Sequence, residues 1–147
     1  MSSTVFIIAL MLLLVATWWD LRTREIPNWI SIALLAVAIS AALLEIANVK
    51  LWMVFSGGLL GLVIGFALFR FAKFGGGDAK LIAAIGALLG PVGLLFMLFW
   101  MALAGGVLAL ISLVRRQSDY AYVPAITAGY IAYLVYPAGV FSRLFIR

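Results

Sequence analysis

The chain contains no cysteine and no histidine. The first absence excludes disulfides, thiol nucleophiles and cysteine-ligated metals. The second removes the commonest metal ligand and the usual general base near neutral pH. Charge is scarce too: 10% of the 147 residues are charged, against about 25% in an average soluble domain. The acids are Asp20, Glu25, Glu45, Asp78 and Asp119, so acid–base chemistry falls to these, to lysine or to tyrosine. No metal site and no cofactor is expected.

What fills the chain instead is apolar. Hydrophobic residues make up 67% of it, and the mean hydropathy is +1.26. A globule of that composition cannot cover itself with polar surface, so the class is an all-α integral membrane protein in contact with a lipid bilayer. The length suits one polytopic domain over residues 1–147. The net charge of +5 does not indicate nucleic acid, because the basic residues are scattered at the ends of apolar runs. The positive-inside rule accounts for them more simply.

A helix needs about 20 residues to cross a bilayer core. The first run, residues 4–19, ends at Trp18 and Trp19, where an aromatic belt belongs. It lacks a basic start and a small-residue cleavage site, and reads as a span rather than a cleaved signal. A polar loop follows, with Pro27 at the first turn of a second span over 28–46. A third span covers 52–72. Residues 81–114 then carry no charge, and one straight helix of that length would measure about 50 Å, too long for one crossing. Gly90-Pro91-Val92-Gly93 breaks the run. Two crossings are therefore expected, a short fourth helix over 79–89 and a fifth over 91–114. The short one should sit in thinned bilayer or pack inside the protein. A sixth span covers 124–140. Arg22, Arg24, Arg70, Lys73, Lys80, Arg115 and Arg116 then share one side, and Lys50, Arg143 and Arg147 the other. The richer side is cytoplasmic, and both termini lie outside.

Two acids stand out on the cytoplasmic side. Asp78 follows Gly75-Gly76-Gly77 and opens an apolar helix. As a plain N-cap it would accept a backbone N–H from the first turn. Capping does not explain three glycines, each costing roughly 0.5–1 kcal/mol in a helix relative to alanine. A run without side chains suits a place where another backbone must approach closely, or where φ is positive. Asp20 ends the first span. Alone it would be an interfacial acid paired with Arg22 or Arg24. Together, the two aspartates fall at one depth on one face, and ionisable groups at membrane depth mark function. Two close carboxylates share a proton and titrate as a unit. The ionised one can take a proton from water while the protonated one donates to a carbonyl, which is peptide hydrolysis without metal, histidine or serine. Glu25 reads as a solvated charge with at most an ion-pair role, Glu45 lies near the opposite face, and Asp119 reads as a surface charge beside Arg115 and Arg116.

The stretches DLRTREIPN (residues 20–28) and FGGGDAKL (residues 74–81) resemble those of the type IV prepilin peptidase family. Its members are GxGD-type aspartic proteases of the membrane, a class that includes archaeal preflagellin peptidases. The matching residues here are Asp20, Ile26-Pro27-Asn28, and Gly75-Gly76-Gly77-Asp78-Ala79-Lys80. The chain resembles the short form, which lacks a cysteine-bearing insert after the first span, so the methyltransferase activity of the long form is not implied. Short forms typically serve tight-adherence (Flp-type) pili or related secretion systems. Where relatives carry a P-[YF]-[GA]-P-like segment before the last span, this chain has Ala121-Tyr122-Val123-Pro124, keeping the tyrosine and the second proline.

The resemblance implies an inner-membrane endopeptidase with its site facing the cytoplasm. Its catalytic residues would be Asp20 and Asp78. Its substrate would be a prepilin or pseudopilin with a basic leader and a hydrophobic N-terminal helix, cut after a glycine and often with a glutamate a few residues beyond. Gly75, Gly76, Gly77, Lys80, Pro27 and Asn28 are the expected substrate-binding residues, and Lys73, Lys80, Arg22 or Arg24 could pair with that glutamate. The competing reading is a non-catalytic transporter or assembly subunit with Asp20 and Asp78 as a proton or cation site. A transporter would place its acids near mid-membrane and often carry an internal repeat. These acids sit at span ends, and no repeat is visible.

Overall fold

In a computed structural model of the protein, residues 2–71, 74–114 and 122–135 are described. Lys73, Arg115, Arg116, Asp119, Ala121, Arg143 and Arg147, which entered the charge count and the motifs above, lie outside them. Among the described residues the chain is helical: α1 (Ser2–Thr23), α2 (Asn28–Leu43), a 3-10 turn (Ile46–Asn48), α3 (Leu51–Phe71), α4 (Gly76–Val114) and α5 (Val123–Val135). In hydrocarbon every backbone group must bond within the segment, which selects helices for such runs.

The boundaries depart from expectation in instructive ways. α1 runs to Thr23, so Asp20 lies in its last helical turn and not in a loop. Polar side chains do not end a helix; the left-handed backbone of Arg24 (φ 57°) does. Pro27 is extended (φ −60°, ψ 132°) and stands at the N-cap of α2, one residue ahead of the first turn. α2 closes at Leu43, three residues short of the expected end. α4 starts at Gly76, so two of the three glycines are helical. It is two helical arms divided at Gly90, whose φ of 72° and ψ of 176° are not helical. The break falls where the Gly-Pro signal placed it. It separates a first arm, 76–89, from a second, 91–114.

Three helices are long and apolar enough to cross a membrane, Thr4–Thr23, Leu51–Phe71 and Gly76–Ile111, among the described residues. Length and composition thus carry an all-α membrane protein but not the expected count of six crossings. α2 and α5 are apolar but shorter, at 16 and 13 residues, and α4 counts once although Gly90 divides it.

The first arm is the centre of the molecule. Leu81, Ile82, Ala84, Ile85, Ala87, Leu88 and Leu89 are all buried, so the short fourth helix packs inside the protein. α3 lies along it through Gly57, Gly61 and Gly65. A Cβ at Gly61 would stand 2.8 Å from Ala83 Cα, and one at Gly65 2.8 Å from Ala79 Cα. Such small-residue seams let membrane helices approach at backbone distance. The same pairings make α3 antiparallel to the first arm. α5 meets the second arm just as closely, since a Cβ at Gly129 would lie 2.7 Å from Met97 O, while Gly105 faces Ala125. α1 is bonded along α5: Tyr130 Oη donates to Phe6 O at 3.2 Å, and the Thr17 and Thr127 hydroxyls share a 2.7 Å hydrogen bond. α1 and α5 are thus antiparallel, as are α5 and the second arm, so the second arm runs parallel to α1. The first arm starts beside Asp20 at the end of α1 and leads away from it, so the chain reverses direction at Gly90. Large side chains such as Phe55, Phe66, Leu110 and Phe71 face outward, as a lipid-facing surface requires.

Candidate active site

The pairing of α1 with α5, and the start of α4 beside the end of α3, bring four chain segments to one end of the bundle. There a cavity of about 250 Å³ is lined by Asp20, Arg24, Glu25, Ile26, Asn28 and residues 75–78. A water occupies roughly 30 Å³ of liquid, so this volume holds several. Both aspartates are buried, Asp20 to 7% exposure and Asp78 to 6%, and they stand close enough for the charge of Asp20 to act on Asp78.

Each carboxylate is held by one backbone N–H. Gly75 N donates to Asp78 Oδ2 at 3.0 Å, and Val123 N donates to Asp20 Oδ2 at 3.2 Å. Asp78 is therefore not the N-cap of α4. Gly75 takes that position, its carbonyl accepting the first helical bond from Ala79 N at 3.3 Å. Asp78 reaches back from the third helical position to the N-cap amide, which is half of a capping box. That leaves Asp78 Oδ1 buried with no hydrogen-bond partner among the described residues. An unpaired buried oxygen costs about 1–3 kcal/mol.

The three glycines have three surroundings. A Cβ at Gly75 would come within 3.1 Å of Asp78 Oδ2, crowding the bond its own amide makes. A Cβ at Gly77 would come within 3.0 Å of Ile26 Cβ, so this glycine makes room for the first loop. Gly76 faces open space. Neither expected reason holds as stated: the atoms that crowd Gly75 and Gly77 belong to the side chains of Asp78 and Ile26 rather than to another backbone, and Gly90, not one of these three, is the positive-φ glycine of the described chain.

The other candidates divide. Gly75, Gly76, Gly77 and Asn28 line the cavity; Pro27 and Lys80 do not. Lys80 Nζ donates to Asn28 Oδ1 at 3.0 Å, tying the second motif to the first. Arg22 lies over the Trp18 ring, 4.4 Å from its centroid, and Arg24 is the arginine whose charge reaches Asp20. Glu25, expected to be a solvated charge with at most an ion-pair role, is exposed and also lines the cavity. Among the described residues no group of three metal-ligating side chains forms.

Sequence reading missed the brace across the site. Phe74 and Tyr122 stack with centroids 4.2 Å apart. They lock the glycine loop to the start of α5, whose first amide holds Asp20. The only sequence signal was the Tyr122–Pro124 remnant of a proline-flanked segment; a backbone donor has no letter of its own.

The fold and cavity define a class: a helical membrane protein with two buried acids brought from separate helices to one end of the bundle. Residues 7–110 match the type IV leader peptidase family, and the chain belongs to that family. The matched stretch contains both aspartates and both motifs, while Tyr122 and Val123 lie beyond it. A preflagellin peptidase of Methanocaldococcus jannaschii is 34% identical over 88 residues, which is 57% of this chain and 37% of the archaeal protein. The chain thus aligns with well under half of that relative's length. No solved structure matches it.

Proposed function

We propose that the protein is a membrane aspartic endopeptidase, one domain over 1–147, that removes the leader of prepilin-like proteins. The observation that carries this is the cavity at which two buried aspartates meet, in a chain of a leader peptidase family. Asp20 and Asp78 share one proton. The ionised carboxylate takes a proton from water, the protonated one donates to the scissile carbonyl, and the water oxygen adds to the carbonyl carbon. Collapse then breaks the C–N bond as the new amine takes up a proton. The unpaired Asp78 Oδ1 is the oxygen available to a water or a carbonyl, and the open side of Gly76 is where substrate backbone can lie beside it. Arg24 holds local charge balance next to Asp20.

In this reading the chain crosses the membrane six times, the arms of α4 being two crossings because the chain reverses at Gly90. The site end carries Arg22, Arg24, Arg70 and Lys80 and faces the cytoplasm at the inner membrane. The substrate is a prepilin or pseudopilin whose apolar helix follows the cut, of the Flp type by the short-form resemblance. A substrate glutamate just past the cut would meet Lys80.

The test is leader cleavage by the purified protein in vesicles, read by the mass of the new N-terminus. The expected result is one cut between the leader and the apolar helix, insensitive to chelators. Proton or cation flux with no cleavage would instead select the transporter reading.

A further inference from the structure

Beside the cavity runs a groove of about 840 Å³ between α2 and α3. α2 and α3 each pack mainly on α4 and touch one another little, so they stand apart and leave the slot. Its rims are apolar and outward-facing, Ile32 and Leu35 on α2 and Phe55 and Leu59 on α3. Its floor is small: Gly58, Ala83 and Ala84. Its polar residues gather toward one end, where Ser31 lies one turn beyond Asn28. There the bonded pair Asn28 and Lys80 stands, and Asn28 lines the dyad cavity as well.

Gly58 separates this groove from ordinary helix packing. Gly57, Gly61 and Gly65 are needed for the α3–α4 seam, where a Cβ would strike backbone. A Cβ at Gly58 would meet nothing nearer than Ala87 Cβ at 3.4 Å. Nothing inside the protein requires a glycine there, yet its missing side chain deepens the slot. Small residues on one membrane helix are how a second helix is admitted closely.

We infer that this groove seats the apolar helix of the substrate, the segment that follows the scissile bond. The inference rests on the leader-peptidase reading and adds to it the docking site and its direction. The substrate helix enters at Asn28 and Lys80 and runs parallel to α2 toward Ile39 and Leu51. Residues 28–39 of α2 span about 17 Å at 1.5 Å per residue, so about three turns of substrate are held. The shared Asn28 joins the groove to the cavity, so that a seated helix presents its N-terminal end to the aspartates. The groove thereby measures where the chain is cut.

The absence of cysteine makes the test direct. Single cysteines are placed at Leu35 and Leu59, with Leu14 and Val107 as outward-facing controls, in an Asp78→Asn background. Each is cross-linked to a prepilin that the parent protein cleaves, carrying single cysteines along its apolar helix. Cross-linking at both rims should recur every three to four substrate positions, at least tenfold above the controls. Equal yields at rims and controls, or none at the rims, would mean that lipid fills the groove and would overturn the inference. A second variant, Gly58→Leu, fills the floor from a position where the Cβ meets nothing nearer than 3.4 Å. It should raise KM for the full-length prepilin at least tenfold more than KM for a soluble peptide that ends just past the cut. Equal changes for both substrates would also overturn it. If the parent cleaves no prepilin, the proposed function itself falls, an outcome separate from a cleaving enzyme whose cross-links map elsewhere.

Discussion

Asp20 and Asp78 come to the cavity by different routes, and each depends on a single amide. Asp20 rides the last turn of α1 and is held by Val123 N–H at the start of α5; Asp78 rides the first turn of α4 and is held by Gly75 N–H. The Val123 bond can be removed without breaking the helix, because proline is tolerated at a first helical position, where the amide makes no intrahelical bond, and its ring keeps an apolar group at this buried site. A hydrogen bond to a charged group is worth about 1.5–3 kcal/mol. Val123→Pro should therefore insert and fold while leader cleavage falls roughly 10- to 100-fold. Wild-type cleavage in this variant would show that the amide does not position Asp20. At this scale the two aspartates were legible in the sequence, since charged residues stand out at the ends of apolar runs. The division of labour among Gly75, Gly76 and Gly77 was not. It depends on Ile26 and on the Asp78 carboxylate meeting the loop in space.

At the scale of elements, the fold is arranged around the first arm of α4. The break that creates this arm was legible in Gly90-Pro91, because a left-handed backbone followed by proline cannot continue a helix. Helix ends were not, because the last turn of α1 continues through polar residues that hydropathy assigns to a loop. The seam between α3 and the first arm gives a stability test. Gly61→Ala would place a Cβ 2.8 Å from both Ala83 Cα and Ile82 O, and overpacking of this kind costs about 1–3 kcal/mol. Thermal unfolding in detergent should show a clearly lowered midpoint for Gly61→Ala and little change for Gly58→Ala. Equal midpoints would mean that the helices are not held at backbone distance.

At the scale of the whole molecule, the proposed orientation rests on charge. α1, α3 and the second arm run toward the site end; α2, the first arm and α5 run away from it. The proposed reading takes these directions as six passages, although among the described residues three helices alone satisfy length and composition. Single cysteines at Thr23 and at Lys50 should be labelled from opposite sides of the membrane by an impermeant maleimide, with Thr23 on the cytoplasmic side. Labelling of both from one side would refute the six-crossing arrangement. The end of the bundle that carries the site was legible from the sequence, because arginine and lysine gather there. The enclosure of the acids was not, since it depends on α5 packing across α1.

The claim on which the rest depends is that Asp20 and Asp78 carry out hydrolysis together. The direct measurement is prepilin leader cleavage by Asp20→Asn and Asp78→Asn proteins shown to insert and to keep the parent's thermal midpoint. General acid–base catalysis contributes about 10²–10⁴-fold, and each member of a proton-sharing pair is required. Each variant alone should therefore lose at least 100-fold in rate, and the double variant little more. Full processing by either single variant would contradict the assignment.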